Sequence, residues 1–241
     1  MLLNKQEHRE KMLNILADIS ADQVLATNLA FKGGTACYFV YGLDRFSVDL
    51  DFDLLNKDRQ EEVLKRIDNI LSKYGKIKMV GSVFSRKVKY NEESSAVKID
   101  VSDRIKNNSL NTYKVKDVAS GIPLKILCEE DMFAHKLIAL KDRYDSKVVN
   151  KRIANRDLYD IEFFFRKNWK INDEIIELLT GKKTVEYLRD LKVFVEEKVD
   201  EKKILDGLGA LIDDKQRHLV RNSLKNEVIK RLSIRIESMR E

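Results

Sequence analysis

The spacing of apolar and polar residues divides the chain into a mixed first half and an almost entirely helical second half. Apolar residues that recur every three or four positions are typical of a helix, and strict alternation is typical of a half-buried strand. In the first half, helical spacing covers 5–19, 35–41 and 57–73, and strand spacing covers 26–31, 48–54, 76–80, 82–90, 96–102 and 112–118. In the second half, the predicted helices are 129–143, 155–167, 171–179, 183–199, 201–212 and 215–238.

This change of pattern near Cys128 predicts two domains. The first is an α/β domain over 1–127, and the second is a helical domain over 128–241. The chain has one proline and nine glycines and no Pro/Gly/Ser-rich stretch, so we expect a change of architecture at the boundary rather than a flexible linker. The predicted fold class is α+β, with a mixed β-sheet and flanking helices followed by an α-helical bundle.

Composition excludes several classes of protein. With 43% hydrophobic residues in 241, the chain can build a core and is not intrinsically disordered. No apolar run reaches the ~18 residues of a membrane span, and charges begin at Lys5, unlike a secretory signal. Cys37 and Cys128 lie in apolar surroundings, which predicts buried reduced thiols and a cytoplasmic protein. Three scattered histidines argue against a Cys/His zinc site.

The positive charge is concentrated in two segments. The net charge is +6. Residues 76–90 contain five Lys or Arg and no acid, and residues 215–240 contain eight against two acids. Such segments are either solvated faces or surfaces that contact a polyanion.

Residues 48–54 (VDLDFDL) form the most unusual pattern in the chain. In a strand, Asp49, Asp51 and Asp53 would share one face while the apolar residues face the core. Neighbouring carboxylates repel each other, so a cation between them is expected, and hard oxygen ligands suit Mg²⁺ or Mn²⁺. The alternative is an edge strand with a solvated acidic face. An EF-hand loop is excluded, because its glycine position would be Asn56.

The surroundings of this strand favour the metal site. Residues 31–35 (FKGGT) predict a strand that ends in two glycines and opens a helix, a turn whose backbone N–H groups can bind a phosphate. Asp100 is a single acid in the apolar strand pattern 96–102. A phosphate-binding turn, a paired-carboxylate strand and a third carboxylate are the parts that two-metal phosphoryl transfer requires.

Four segments in order resemble the AbiEii/AbiGii toxin family. They are KGGT (32–35), DRFSVDLDF (44–52), FAHKLIALKDR (133–143) and NRDLYDI (155–161). Members of this family have the nucleotidyltransferase fold of the DNA polymerase β type and act as toxins of bacterial toxin–antitoxin and abortive-infection systems, with the MenT toxins as relatives. The resemblance spans residues 32–161 and covers the tail after about 170 only loosely.

The resemblance implies roles for particular residues. The implied metal ligands are Asp49, Asp51 and Asp100, and the implied catalytic set adds Lys136 and Asp157. The implied nucleotide-binding residues are Lys32, Gly33, Gly34, Thr35, Arg45, Ser47, Lys136 and Arg143. The helical domain is expected to complete the active-site cleft.

Helical spacing is consistent with the roles in the second half. Lys136 and Arg143 are seven residues apart and would share one face of a helix, where both could reach a triphosphate. The alternative for Lys136 is a surface lysine, although its apolar flanks favour partial burial. Asp157 and Asp160 would also share a face, and their alternative role is to form ion pairs with the preceding helix.

The function implied by the resemblance is transfer of a nucleoside monophosphate from an NTP to the 3′ hydroxyl of a tRNA-like RNA, with a cognate antitoxin as a possible protein partner. Tyr90, Tyr113 and Tyr144 lie near basic residues and are candidates for base stacking. Three alternatives stay open: nucleotide transfer to a protein, a non-catalytic module that binds nucleic acid or antitoxin, and an antibiotic nucleotidyltransferase. The basic bias weighs against the last, which would need an acidic pocket for a cationic drug.

Overall fold

The computed structural model describes residues 3–91, 95–102, 109–119, 121–145 and 153–239. The chain forms two compact units, Met1–Cys128 and Glu129–Glu241, and each is described by itself below. Arg240, at the end of the second basic segment, lies outside the described residues. Both the sheet-containing first unit and the helical second unit agree with the predicted α+β class, which is confirmed.

The first unit is built around a seven-stranded mixed sheet in the order β3-β4-β5-β2-β1-β7-β6. Strand β2 pairs parallel with β5, β1 pairs parallel with β7, and the other neighbours are antiparallel. Its strands are β1 (Leu29–Lys32), β2 (Asp49–Leu54), β3 (Lys76–Val80), β4 (Ser82–Lys89), β5 (Ala96–Ser102), β6 (Tyr113–Asp117) and β7 (Pro123–Leu127). Its helices are α1 (Lys5–Ala21), α2 (Gln23–Asn28), α3 (Gly33–Val40) and α4 (Gln60–Leu71).

The acidic strand β2 lies in the middle of this sheet. It pairs with β1 on one side and with β5 on the other, so the edge-strand alternative is wrong. The reason lies in its apolar positions, since Leu50 and Phe52 are fully buried and the Phe52 ring packs 5.2 Å from the ring of Phe31. A strand with a fully apolar face gains more from burial in the sheet centre than from an edge position. The acidic face of the same strand is therefore also in the centre of the sheet.

Helices α1 and α4 cover the apolar side of the strands next to β2. Helix α1 contacts β5 and α4. Arg86 of β4 is buried and binds Asp68 of α4 through two hydrogen bonds of 2.6 and 3.2 Å. The opposite side of β2, β4 and β5 therefore carries the polar side chains.

Two elements of the first unit differ from the sequence prediction. Residues 26–28 belong to α2 rather than to a strand, because the Asp22 side chain caps that helix by accepting from the N–H groups of Val24 and Leu25. Strand β7 was not predicted. It is a short apolar run that begins at Pro123, and only its pairing between β1 and β6 makes it a strand.

The second unit consists of helices in its described residues. These are α5 (Glu129–Asp145), α6 (Asn155–Arg166), α7 (Asp173–Thr180), α8 (Thr184–Lys198) and α9 (Asp214–Ser238). The predicted helix over 201–212 is wrong: only two single 3₁₀ turns form there, and Gly207 with a φ of +69° interrupts them. Helix α9 starts at a capping box between Asp213 and Gln216. None of the described helices combines the length and apolar character needed to cross a bilayer.

Candidate active site

The sheet register places Asp51 directly beside Asp100. In the parallel β2–β5 pair, Asp51 is opposite Asp100 and Asp49 is opposite Lys98. Neighbouring strands are about 4.8 Å apart, and residues two apart on one strand point to the same face. The alternation agrees, because Leu50 is buried and the two aspartates beside it are partly exposed. Three carboxylates therefore lie on the polar face of two adjacent central strands.

The carboxylate of Asp100 has two polar partners within this face. Its Oδ1 accepts a hydrogen bond from the hydroxyl of Ser85, and its Oδ2 forms an ion pair with the ammonium group of Lys98. Lys98 lies two residues away on the same strand. It therefore places a positive charge beside the Asp100 carboxylate.

The glycine turn lies against Asp51. Gly33 has a φ of +77°, and a Cβ atom at that position would overlap Oδ2 of Asp51. A Cβ atom on Gly34 would lie 2.7 Å from Nη2 of Arg45 and 3.0 Å from Oγ of Ser47. Both glycines are thus required for close approach, and they bring the N-terminus of α3 next to a carboxylate of β2.

Three residues predicted to bind the nucleotide make contacts inside this turn. Thr35 is fully buried, and its hydroxyl donates to the carbonyl oxygen of Asp49 and is hydrogen-bonded to Ser47 Oγ at 2.8 Å. Arg45 is only 3% exposed and donates from Nη1 to the carbonyl oxygen of Phe46 at 3.0 Å. These contacts join the start of α3 to the chain that leads into β2. Thr35, Arg45 and Ser47 therefore position the turn relative to the aspartates.

Asp53, the last aspartate of β2, is surrounded by polar side chains of the protein. Asp53 is fully buried and forms an ion pair with Lys32. Its Oδ2 accepts hydrogen bonds from Asn111 Nδ2 at 3.2 Å and from the Tyr113 hydroxyl at 3.1 Å. Lys32, predicted to bind the nucleotide, thus contacts a carboxylate that is separated from solvent.

A buried histidine that sequence reasoning missed supports the start of β2. The side chain of His8 on α1 is buried, and its Nε2 lies 2.9 Å from the carbonyl oxygen of Val48. Because a carbonyl only accepts, Nε2 carries the proton and Nδ1 accepts from the Tyr90 hydroxyl at 2.8 Å. Burial lowers the pKa of His8 from its ordinary value of 6.5, and the Val48 carbonyl opposes this shift only in part. Its position on a helical apolar face was the only signal in the sequence.

The three carboxylates suit a divalent cation chemically. Carboxylate oxygens are the ligands that Mg²⁺ and Mn²⁺ prefer. Within the described part of the chain, however, no three His, Cys, Asp or Glu side chains are grouped closely enough to form a metal cluster. By chemical type, the carboxylate oxygens of Asp49, Asp51 and Asp100 nevertheless suit a hard cation.

The functional residues predicted in the second unit form a buried ion-pair cluster. Nζ of Lys136 on α5 lies 2.6 Å from Oδ1 of Asp157 and 2.9 Å from Oδ2 of Asp160, both on α6. Arg143 Nη1 lies 2.7 Å from the other oxygen of Asp157. Both carboxylates are fully buried, and Lys136 is 12% exposed. The structure thus shows the ion pairs with the preceding helix that were the alternative role of these aspartates.

Comparisons with known proteins agree with this architecture. The model of a family described as the nucleotidyl transferase AbiEii toxin of a type IV toxin–antitoxin system matches residues 14–231. No curated protein sequence matches the chain. The crystal structure of JHP933 from Helicobacter pylori is 21% identical with a TM-score of 0.52, covering 100% of this chain and 98% of that one. A second H. pylori structure, solved as a candidate nucleotidyltransferase, is 21% identical with a TM-score of 0.57, covering 97% and 98%. At this identity the two structures show a shared fold.

Replacing Gly33 by alanine should destabilise the turn and displace Asp51. Gly42 is a matched control, since its φ of +71° carries the same backbone strain but nothing lies within 4 Å of its missing Cβ. Left-handed strain alone should cost Gly42→Ala about 1–2 kcal/mol of unfolding free energy. Overlap with the Asp51 carboxylate should cost Gly33→Ala about 1–3 kcal/mol more. Urea unfolding of both variants measures the difference, and equal losses would contradict the close contact.

Acidification should weaken the fold through His8. Because the folded-state pKa of His8 is below 6.5, the unfolded chain binds a proton first as the pH falls. The stabilisation is therefore present above pH 6.5 and is lost as the pH falls through the folded-state pKa. Thermal unfolding between pH 7.5 and 5 should show a smaller fall in Tm for His8→Gln than for the wild type. His218→Gln, at an exposed position of α9, should keep the wild-type pH dependence.

Removing Lys136 should test whether its cluster stabilises the second unit. Lys136→Met removes the ammonium group that contacts both buried carboxylates, so about 3–5 kcal/mol of unfolding free energy should be lost. Lys182→Met is the control, because Lys182 pairs with Asp190 on the surface and should change the denaturation midpoint little. Equal midpoints for the two variants would show that the cluster adds no stability.

Proposed function

Because the chain belongs to the AbiEii nucleotidyl transferase toxin family, we propose that it transfers a nucleoside monophosphate from an NTP to the 3′ hydroxyl of an RNA in a reaction that requires Mg²⁺ or Mn²⁺. The observation that carries the proposal is the register that sets Asp51 beside Asp100, with Asp49 on the same face. The contact of the Gly33 turn with Asp51 adds a phosphate-binding element to this carboxylate group.

The carboxylates Asp49, Asp51 and Asp100 would hold the divalent cation. A cation bound there supplies positive charge to the attacking and leaving oxygens of a phosphoryl transfer. Lys98 would then exchange its contact with Asp100 for a contact with substrate phosphate. Ser85, which donates to Asp100, would keep that carboxylate oriented.

The turn at Gly33 and Gly34 would bind the triphosphate. Helix α3 begins there, and its first N–H groups have no partner within the helix. Such groups favour a phosphate because they donate hydrogen bonds and lie at the positive end of the helix dipole. Thr35, Arg45 and Ser47 would serve by holding this turn against β2, as their buried contacts indicate.

The chemical step is an in-line displacement at the α-phosphorus. The 3′ oxygen forms a bond to this phosphorus while the bond to the bridging oxygen breaks, and pyrophosphate leaves with the electron pair. The hydroxyl proton passes to a carboxylate, and we assign this role to Asp100. Positioning and electrostatics supply most of the rate in this type of reaction.

RNA is the acceptor that the charge distribution favours. The net charge of +6 and the acid-free basic segment 76–90 suit a polyanion. Membership of a toxin family further supports a toxic activity toward a cellular target, held in check by a cognate antitoxin. Both the target and the antitoxin belong to the proposal.

Asp51→Asn should abolish nucleotide transfer. The purified chain is incubated with Mg²⁺, each α-³²P-labelled NTP in turn and total bacterial RNA. Label should enter RNA with the wild type and fall at least 100-fold with Asp51→Asn, the size typical of removing one key catalytic group. Asp117→Asn, an exposed position on β6, removes the same charge and should keep full activity.

The form of the labelled product decides between the acceptors. Label that resists protease and is removed by ribonuclease supports RNA as the acceptor. Label that resists ribonuclease and is removed by protease would replace RNA by a protein acceptor. Absence of label with every NTP, or full activity of Asp51→Asn, would overturn the proposed reaction.

A further inference from the structure

Five lysines lie together on one face of the first unit. In the β3–β4 pair, Lys76 is opposite Lys89 and Lys78 is opposite Lys87, and in the β4–β5 pair Lys87 is opposite Lys98. Directly opposed residues of antiparallel strands point to the same side of the sheet. All but Lys98, which is partly exposed, are exposed. We call these five residues the lysine face.

The lysine face continues the polar face that carries the aspartates. Residues between the lysines along β4 and β5, such as Val88, Val97 and Ile99, are fully buried on the opposite side. Lys98 and Asp100 are two residues apart on β5 and point to the same side. The lysines therefore extend from the sheet edge at β3 to the carboxylates of the candidate active site.

Lysines that lie opposite each other on this face carry an electrostatic cost. Like charges directly opposite each other on neighbouring strands are destabilising. Within β3, β4 and β5 the single acidic residue is Asp100, at the end of the lysine face next to the aspartates. The directly opposed and exposed Lys78 and Lys87 therefore repel each other, and an anionic ligand would reduce this repulsion.

The chemistry of the face favours a phosphate backbone over a protein. Protein interfaces have an apolar, aromatic centre and are depleted in lysine. Here the side chains beside the lysines on this face are Ser85 and Ala96, and two exposed apolar residues, Val80 and Val83, lie at one end of it. A flat array of ammonium groups without an apolar centre neutralises regularly spaced phosphates.

Base stacking has no support on this face. The Tyr90 hydroxyl binds His8, the Tyr113 hydroxyl binds Asp53, and the Tyr144 ring packs 5.2 Å from the ring of Phe194. All three tyrosines proposed from the sequence as stacking residues thus have intramolecular partners. Recognition through phosphates alone positions a nucleic acid without reading its sequence.

We propose that the lysine face binds the phosphate backbone of the acceptor RNA and guides its 3′ end toward Asp49, Asp51 and Asp100. This inference rests on the proposed function for the identity of the ligand. Binding is strongly salt-dependent and nearly independent of RNA sequence, because phosphate neutralisation supplies the affinity.

Binding of the full chain to a fluorescent RNA hairpin with a single-stranded 3′ end tests the proposal. Anisotropy is measured in EDTA without NTP over a range of salt concentrations. The variant Lys78→Gln/Lys87→Gln removes an opposed lysine pair, and we expect about 10-fold weaker binding at low salt. Its slope of log affinity against log salt should be shallower by about 1 for each lysine.

Control variants distinguish the loss of charge at this face from the loss of charge elsewhere, and a Tm measurement distinguishes it from unfolding. Lys57→Gln/Lys65→Gln removes the same charge from two exposed positions, one before α4 and one within it. This variant should bind like the wild type. Lys78→Arg/Lys87→Arg keeps both charges and should restore binding. The Tm of Lys78→Gln/Lys87→Gln should stay or rise, since it removes a repulsion, so lost binding cannot be attributed to unfolding.

The outcomes distinguish this inference from the proposed function. Equal weakening by the two double Gln variants would overturn the lysine face even if label enters RNA. Loss of RNA binding in Lys78→Gln/Lys87→Gln alone would support it even if transfer to RNA fails. Lysine-dependent binding of poly-glutamate without binding of RNA would overturn the choice of a nucleic acid in favour of an acidic protein.

Discussion

Repulsion between the carboxylates of β2 is the constraint around which the first unit is arranged. Burial of Leu50 and Phe52 holds this strand in the centre of the sheet, so its acidic face cannot move to an edge where water would screen it. The neighbours of these carboxylates differ along the strand. Asp53 is neutralised by Lys32 in a buried environment, while Asp51 lies beside a second carboxylate, Asp100. The other end of the strand thus adjoins a further carboxylate, which pairs with Lys98.

The backbone near Asp49 and Asp51 is also held close to the acidic face. A glycine with positive φ brings α3 against Asp51, and a second glycine makes room for the buried guanidinium of Arg45. Thr35 ties the start of α3 to the backbone of Asp49, and His8 ties α1 to the preceding carbonyl of Val48. The contacts of Thr35 and His8 thus restrain the main chain at the start of the acidic strand.

Charged side chains are arranged differently in the two units. In the second unit, Lys136 and Arg143 match the buried pair Asp157 and Asp160 in number and form ion pairs with them. On the sheet, lysine faces lysine across three strands while the aspartates cluster on the central strands. Lysines and aspartates thus occupy different parts of one surface. A substrate that carries phosphates and a bound cation could contact both parts.

The sequence was sufficient to predict the α+β class, most helices and strands, and the acidic strand, because local periodicity and the Val48–Leu54 alternation are properties of neighbouring residues. It did not predict β7, whose five residues become a strand only through pairing between β1 and β6. Nor did it predict the 3₁₀ turns near Gly207, where local backbone freedom overrides apolar spacing. The folded arrangement was needed to show that Asp51 adjoins Asp100, that Lys32 pairs with Asp53 and that His8 contacts the Val48 carbonyl. These pairings depend on strand order and register, which bring together residues 21 to 49 positions apart and which no local pattern specifies.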